Sequence, residues 1–463
     1  MYNGFVTTLK NVRPHPNADK MKLAECYDNT VCVGLDSAEG EIGVYFPVDG
    51  QLSVEFCQQH DLVRRKDENG NPAGGYLDPE KRNIRAIKLR GEKSDGLFMP
   101  ISCLVYTGVN LDDLTIGTKI TVVNGHEICC KYIPQTNVRV GHPSNGNKAR
   151  KVKVPYAPLF TEHADTEQLA YNLGAFKSGD EIEITLKMHG TSQRTGHLPV
   201  LQGYKRNFLD RIFRRTGEPI YDCGYVTGTR RVVLEDNYDG GFYGSNEFRE
   251  QHAKVFEGKL YRGETVYYEV VGFTHTGTPI MASADNKKVN DKEFIKQYGK
   301  ETVFSYGCFP TGHTDYDNIT PRPQSDIYVY RMTITNSEGF VVEYTPDFMR
   351  YRCEQMGVKT VPVLWRGTIP SCEAELGMVH DHDQTPINPG EWIKNIAEKY
   401  YEGPDPIGKT HIREGVVVRI LNRPKFCAYK HKNFHFKVLE GIIKDEALSP
   451  DCEEEQEVTN ESI

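Results

Sequence analysis

The chain has 463 residues, a net charge of −8, and 38% hydrophobic and 10% aromatic residues. This length predicts two or three domains with real cores, and the acidic balance excludes nucleic-acid binding by bulk charge, leaving only local basic patches for that role. Its 12 cysteines include no Cys-x-x-Cys pair, which argues against a zinc ribbon or a disulfide framework and predicts a reducing, cytoplasmic or other intracellular compartment. The opening Met1-Tyr2-Asn3-Gly4-Phe5 has no signal-peptide pattern, and no apolar run nears membrane-spanning length, so no membrane partner is expected.

The first third reads as short β segments, at residues 4–9, 22–27, 30–34, 43–47 and 85–89, separated by turn residues such as Arg13-Pro14-His15-Pro16-Asn17-Ala18-Asp19. That pattern predicts a small barrel over residues 1–133. Residues 67–75 read as a loop. Residues 141–150 are polar, Gly-containing and basic, and predict a linker within a lead-in of residues 134–180. Strands and helices then alternate without a regular βαβ period, which predicts a mixed α+β domain over residues 181–442. Asn388-Pro389-Gly390 is a start signal for a helix over residues 391–402. Residues 443–463 are acidic and poor in apolar side chains, and predict a disordered tail.

The chemistry-bearing stretch is Lys187-Met188-His189-Gly190-Thr191-Ser192, which follows the strand-like Glu181-Ile182-Glu183-Ile184-Thr185-Leu186. A lysine leaving a strand into a Gly-Thr-Ser turn is held near an open pocket, and its neutral amine can attack a phosphate. Gly190 lets the backbone approach that phosphate closely. Later segments fit one nucleotide pocket. Glu269 stands among apolar neighbours in Tyr267-Tyr268-Glu269-Val270-Val271-Gly272, and Glu414 heads the β-branched run Gly415-Val416-Val417-Val418-Arg419. Lys430 and Lys432 alternate about His431 and so share a strand face, as charge neutralisers of a polyphosphate or as a solvated edge. Thr229-Arg230 offers a guanidinium, and Tyr328 and Tyr330 are candidates to stack on a purine or to fill a core.

Three stretches mimic other sites. Gly403-Pro404-Asp405-Pro406-Ile407-Gly408-Lys409-Thr410 spells a P-loop, yet a helical pattern precedes it, a strand pattern follows it, and both prolines lack the N–H that phosphate needs. Lys93-Ser94-Asp95-Gly96 spells a nucleophile motif but lies in the expected barrel. His380-Asp381-His382-Asp383 carries ligand-type residues without a spaced partner cluster, and reads as a turn.

In order and spacing, Lys187–Gly190, Thr229-Arg230, Glu269–Gly272, residues 327–332, Glu414-Gly415 and Lys430–Lys432 resemble the motifs of the covalent nucleotidyltransferases, the superfamily of ATP-dependent ligases and capping enzymes. Gly-Thr-Ser after the lysine and Arg-Glu-Gly-Val-Val-Val bring the resemblance nearest to nick-sealing RNA ligases. His189 departs from it, because that position is usually Asp or Glu. Residues 203–221 read as an insertion. Pro14–Lys20, together with Leu89-Arg90-Gly91 and Ser94-Asp95-Gly96-Leu97, resembles the tRNA-binding OB fold. The resemblance implies an α+β adenylation domain preceded by an OB-fold β-barrel, with ATP and Mg2+ or Mn2+ as cofactors and RNA ends or nicks as partner. It implies Lys187 as the residue that carries AMP, Glu269 on a ribose hydroxyl, Tyr330 (or Tyr328) on adenine, Arg230, Lys430 and Lys432 on phosphates, and Glu414 on metal-bound water. A DNA ligase, a GTP-dependent guanylyltransferase and a non-catalytic RNA-binding protein on a degenerate transferase fold remain as alternatives. The basic residues Lys205, Arg206, Arg211, Arg214 and Arg215 read equally as an RNA track or as a solvated surface.

Overall fold

The computed structural model describes residues 2–133, 155–163, 166–208, 217–234, 243, 245–310, 322–371 and 388–445. The expected linker at 141–150, the turn at His380–Asp383, Arg211, Arg214, Arg215 and the tail from residue 446 lie outside these. The described residues form two compact units. One holds those up to 133 with 284–302 and 432–445, and the other holds those from 155 to 283 and from 303 to 431. Among the described residues, no helix is long and apolar enough to cross a membrane.

Each β segment expected in the first unit is a strand, at Gly4–Thr8, Lys22–Cys26, Asn29–Val33, Ile42–Phe46 and Ala86–Leu89. Leu97–Pro100, Ile42–Phe46, Gly4–Thr8 and Lys119–Ile120 make a four-stranded antiparallel sheet in that order. Lys10–Pro14, Lys22–Cys26 and Asn29–Val33 make a second sheet. Val6, Val44, Phe46, Leu52, Phe56 and Leu104 fill the core. The described ladders do not close into a ring. The two OB-like stretches do meet: the His15 ring bonds the Leu89 carbonyl at 3.2 Å, and the Asn17 amide donates to the Arg90 carbonyl at 3.0 Å.

This unit is discontinuous in the chain. Helix Phe434–Asp445 joins it through Lys437–Asp95 at 2.5 Å and Lys444–Asp49 at 3.0 Å. Asp291, which caps helix Lys292–Tyr298, pairs with Lys88 and lies 3.1 Å from His435. The transferase range read from sequence, 181–442, thus contributes residues 284–302 and 432–442 to the first unit.

The second unit is built on two sheets. The five-stranded one runs Glu167–Gln168, Ala428–Lys432, Gly415–Ile420, Glu181–Lys187, Val363–Thr368. The larger one runs Glu218–Gly228, Thr191–Lys205, Glu264–Gly272, Ser325–Thr335, Val341–Glu343, with Lys359–Thr360 also paired to Ser325–Thr335. In Glu181–Lys187 the alternation is strict. Ile182, Ile184 and Leu186 are buried, the two isoleucines against a core completed by Trp392, Ile393 and Ala397. Glu183, Thr185 and Lys187 therefore take the opposite face. Gly415–Ile420 repeats the pattern beside it, in register Glu183↔Arg419, Thr185↔Val417 and Lys187↔Gly415. Helix Pro389–Tyr401 covers the apolar face. It begins two residues earlier than the sequence pattern placed it, because Asn388 caps Glu391 and Glu391 caps Asn388 in return, with Pro389 in the first turn.

One buried titratable ring sets a pH dependence of stability. His252, on helix Glu247–Lys254, is 6% exposed and bonds the Ser325 hydroxyl at 2.8 Å. Burial lowers its pKa from 6.5 to about 4, against an opposing pull from Asp326. Below pH 6.5 the unfolded chain takes this proton and the folded chain does not. The stability is complete above that pH and falls as pH drops toward 4, by about 3 kcal/mol from this ring. Thermal melts of His252→Gln should show a shallower loss of Tm between pH 6.5 and 4 than the unsubstituted chain. An unchanged pH slope would remove His252 from the explanation.

Candidate active site

Lys187 ends a strand of one sheet and Thr191 begins a strand of the other, so Met188, His189 and Gly190 carry the chain across. Val270 pairs with Thr191 in the second sheet. A side chain at Gly190 would meet the Val270 carbonyl at 2.4 Å and the Glu269 Cγ at 2.9 Å, so the crossing requires glycine for close approach. The Gly190 N–H donates to Glu269 Oε1 at 3.1 Å. The sequence reading offered this amide to a phosphate, and the structure instead uses it to fix Glu269 against the turn.

A cleft of about 840 Å³, open to solvent, lies over the polar faces of these strands. Lys187, Thr185, Glu183, Val417 and Arg419 line it from the five-stranded sheet, and Glu269, Tyr330 and Arg230 line it from or beside the larger one. The Lys187 Nζ lies 2.8 Å from Oε1 of Glu414, whose side chain is 2% exposed. The other carboxylate oxygen of Glu414 lies 3.7 Å from Nδ1 of His189. His189 is held in turn: its backbone N–H donates to the Tyr306 hydroxyl at 2.7 Å, and its ring meets Phe304 edge-on at 4.5 Å. One buried carboxylate thus faces both the lysine and the imidazole.

Tyr330 owes its position to an irregularity in the ladder. Tyr267 pairs with Arg331 and Tyr268 with Val329, so Tyr330 is an extra residue between them. Its hydroxyl bonds Ser192 at 2.8 Å, and burial raises its pKa. The His163 ring stands against it at 5.1 Å and against Phe426 at 5.7 Å, and all three rings line the cleft. Tyr328 is 5% exposed, reaches Asp326 and does not line the cleft. Of the two candidate tyrosines, the structure brings Tyr330 to the cavity.

Lys430 and Lys432 are not brought to it. Neither lines the cleft, and Lys432 Nζ is committed to Glu440 at 2.7 and 2.8 Å. Sequence reasoning also missed several lining residues. His163 and Phe426 lie outside regular strands, where no periodicity marks them. Arg350 comes from helix Pro346–Met356 and bonds Glu183 at 2.8 Å. Glu183 and Arg419 carry a signal in the sequence that was not used: each lies on the polar face of a strand whose apolar side chains alternate.

The look-alike motifs fall elsewhere. Asp405 accepts from the backbone N–H groups of Ile407, Gly408 and Lys409, which a P-loop would offer to phosphate. Lys93 is exposed in the hairpin Ala86–Leu89/Glu92–Asp95 of the first unit, over the Phe434 ring at 5.3 Å. Among the described residues, no group of three or more His, Cys, Asp or Glu is arranged to hold a metal ion.

No protein-family model matches the chain, and no curated protein matches it either. Solved structures do. A lysine-to-methionine variant of the Naegleria gruberi RNA ligase with AMP and manganese aligns over 94% of this chain and 97% of its own, at 15% identity and a TM-score of 0.52. A lysine-to-alanine variant with ATP and manganese aligns over 96% and 99%, at 16% identity and a TM-score of 0.51. The same ligase with pyrophosphate aligns over 93% and 96%, at 14% identity and a TM-score of 0.50. The chain has the fold of an RNA ligase. That likeness spans both units and supports the RNA ligase fold that the order of motifs implied, whereas the expected barrel of the first unit does not close among the described ladders.

Proposed function

We propose that this chain is an ATP-dependent RNA ligase that works through a Lys187–AMP intermediate and seals nicks or broken RNA ends. The observation that carries the reading is the 2.8 Å contact between buried Glu414 and the Nζ of Lys187, a residue that lines an open cleft, in a chain with an RNA ligase fold. The solved ligase binds ATP, AMP, manganese and pyrophosphate in the structures it resembles.

In the first step the neutral Lys187 amine attacks the α-phosphorus of ATP. A P–N bond forms, the bond to pyrophosphate breaks, and the amine loses its proton to solvent. An oxygen of an RNA 5′-phosphate then attacks that phosphorus, breaking the P–N bond and forming a pyrophosphate linkage to RNA. Finally the RNA 3′-hydroxyl attacks the 5′-phosphate and expels AMP. Glu414 orients the Lys187 amine, Tyr330 with Phe426 and His163 stacks on the base, Glu269 takes a ribose hydroxyl, and Arg230 meets a phosphate. The donor set suits magnesium or manganese carried in with the nucleotide, since such ions use one or two carboxylates and complete their shell with phosphates and water. Glu414 would hold it, and when bound it neutralises phosphate charge. The first unit, read as an OB-like module, would engage the RNA.

Intact mass after incubation with ATP and magnesium tests this. A gain of one AMP, absent with GTP, supports the reading. No covalent nucleotide at all favours a non-catalytic RNA-binding protein.

Two further outcomes bear on the pocket. Alanine at Lys430 or Lys432 should depress lysyl-AMP formation before RNA is added, because a lysine that reaches the phosphates once ATP is bound offsets charge at the transition state, and losing such a contact costs about 3 kcal/mol. For Lys432 this requires release from Glu440, so Glu440→Gln should leave formation intact or raise it. Normal rates in both lysine variants would place that strand outside the reaction.

His189→Asp tests whether the imidazole does what an acidic residue does elsewhere. Without metal, it places a second carboxylate beside Glu414, and like charges at that range disfavour each other. With saturating magnesium or manganese, adenylylation should be retained, while His189→Leu should lose more. Equal and complete loss in both variants would assign a specific task to the histidine.

A further inference from the structure

We propose that the hairpin Thr191–Lys205/Glu218–Gly228 is an RNA-binding arm that grips the polynucleotide at its tip through Tyr204, Lys205, Arg206 and Phe208. The choice of RNA rests on the ligase reading; the arm itself rests on geometry. Strand Thr191–Lys205 pairs with Glu264–Gly272 only from Thr191 to Gly196. Beyond Gly196 its ladder continues with Glu218–Gly228 alone, out to Lys205↔Glu218. A two-stranded ribbon therefore extends past the sheet by nine residues, roughly 30 Å at 3.3 Å per residue.

A free ribbon of this kind is marginally stable in water. This one is braced at its root. Leu198, Val200 and Val226 pack with Ala157 and Phe160. The Leu201 N–H donates to the Tyr156 carbonyl at 2.8 Å, and the Tyr221 hydroxyl donates to the Pro155 carbonyl at 2.8 Å. His197 stacks flat on Tyr225 at 4.6 Å. The bracing ends where the exposed side chains begin. Tyr204, Lys205 and Arg206 are exposed, Phe208 is 76% exposed, and Ile220 on the return strand is 47% exposed.

Exposed rings beside cations are what a nucleic-acid strand uses, with bases stacking on the rings and phosphates meeting the charges. The chain carries −8 overall, yet residues 204–208 read Tyr-Lys-Arg-Asn-Phe, with two bases and no acid. The opposing charges are Glu218, across the ladder from Lys205, and Asp222 nearer the root. Reach selects the class of partner. The arm strand starts directly after the Lys187–Gly190 crossing, and its end lies about 45 Å of strand away. A nucleotide in the cleft cannot touch the tip, whereas a polynucleotide can occupy both.

The test uses the full chain with Lys205→Glu/Arg206→Glu and, separately, Tyr204→Ala/Phe208→Ala. Lysyl-AMP formation should be unchanged in both. Affinity for a nicked RNA duplex long enough to span the arm should fall about tenfold or more in the charge variant at low salt. Its salt dependence should flatten by about one to two units of log–log slope, since each phosphate contact contributes about 0.9. The aromatic variant should lose affinity with its slope kept. Full RNA affinity in both variants overturns the proposal. So does loss of lysyl-AMP formation, which would tie the tip to the nucleotide pocket. So does a defect confined to anionic vesicles or to self-association. If the unsubstituted chain forms no lysyl-AMP but the variants still lose RNA affinity, the ligase reading fails and the arm stands.

Discussion

Lys187→Ala is expected to abolish AMP labelling, while Lys93→Ala and Lys409→Ala retain most of it. The three lysines differ in surroundings, not in local spelling. Lys187 ends a strand on the polar face of a cleft, with its amine on a buried carboxylate. Lys93 is exposed in a hairpin of the other unit. Lys409 has a φ of +59° and its N–H bound to Asp405, in a loop whose amides serve that side chain. Lys187→Ala also takes a cation from Glu414, which is 2% exposed, so loss of labelling needs a control for folding. Lys187→Arg provides it. Arginine keeps a cation near Glu414 but stays protonated and cannot attack phosphorus. Labelling should be absent in Lys187→Arg at an unchanged Tm. Labelling that persists in Lys187→Ala, or that vanishes in Lys93→Ala, would overturn the assignment.

What was legible in the chain follows from period. Ile182, Ile184 and Leu186 alternate with Glu183, Thr185 and Lys187, so one face had to be core and the other had to meet solvent or ligand. Val416 and Val418 against Val417 and Arg419 say the same of the partner strand. The helix after Asn388 was legible because its capping box is written in consecutive residues. Other features depend on contacts between distant segments. No local pattern shows that Glu414 pairs with Lys187, or that His163 stands on Tyr330. The extra residue that turns Tyr330 into the cleft depends on register between two strands, so alternation treated Tyr328 and Tyr330 alike. The first unit shows the same limit. Its early strands announce themselves, but its pairing of Asp95 and Asp49 with Lys437 and Lys444 joins opposite ends of the chain. Removing residues 1–135 would take Asp95 from Lys437, Asp49 from Lys444 and Lys88 from Asp291. A truncation there is a test of folding before it is a test of RNA binding.

Arg352→Ala should produce the largest loss of stability from a single change in the second unit. Arg352 and Glu264 form a two-pronged pair, Nε to Oε1 at 2.9 Å and Nη2 to Oε2 at 2.8 Å, with side chains 4% and 0% exposed. Glu264 is further bonded by the Tyr344 hydroxyl at 3.0 Å and the Tyr261 N–H at 2.8 Å, and Arg352 lies over the Tyr261 ring at 4.0 Å. The pair contributes little net energy, because desolvating two charges offsets much of their attraction. Breaking it is another matter, since a buried carboxylate then has no cation, at a cost of about 3–5 kcal/mol. Glu264 begins the strand that carries Glu269, so the loss loosens one wall of the cleft. Urea unfolding of Arg352→Ala should show the lower midpoint, and labelling with ATP at low temperature should survive because Lys187 and Glu414 are untouched. The double replacement Glu264→Leu/Arg352→Met should recover much of the midpoint, since neither charge then remains buried. A single variant as stable as the unsubstituted chain would show that water reaches Glu264. A double variant no better than the single one would show that the loss lies in packing around Tyr261 and Tyr344 rather than in the stranded charge.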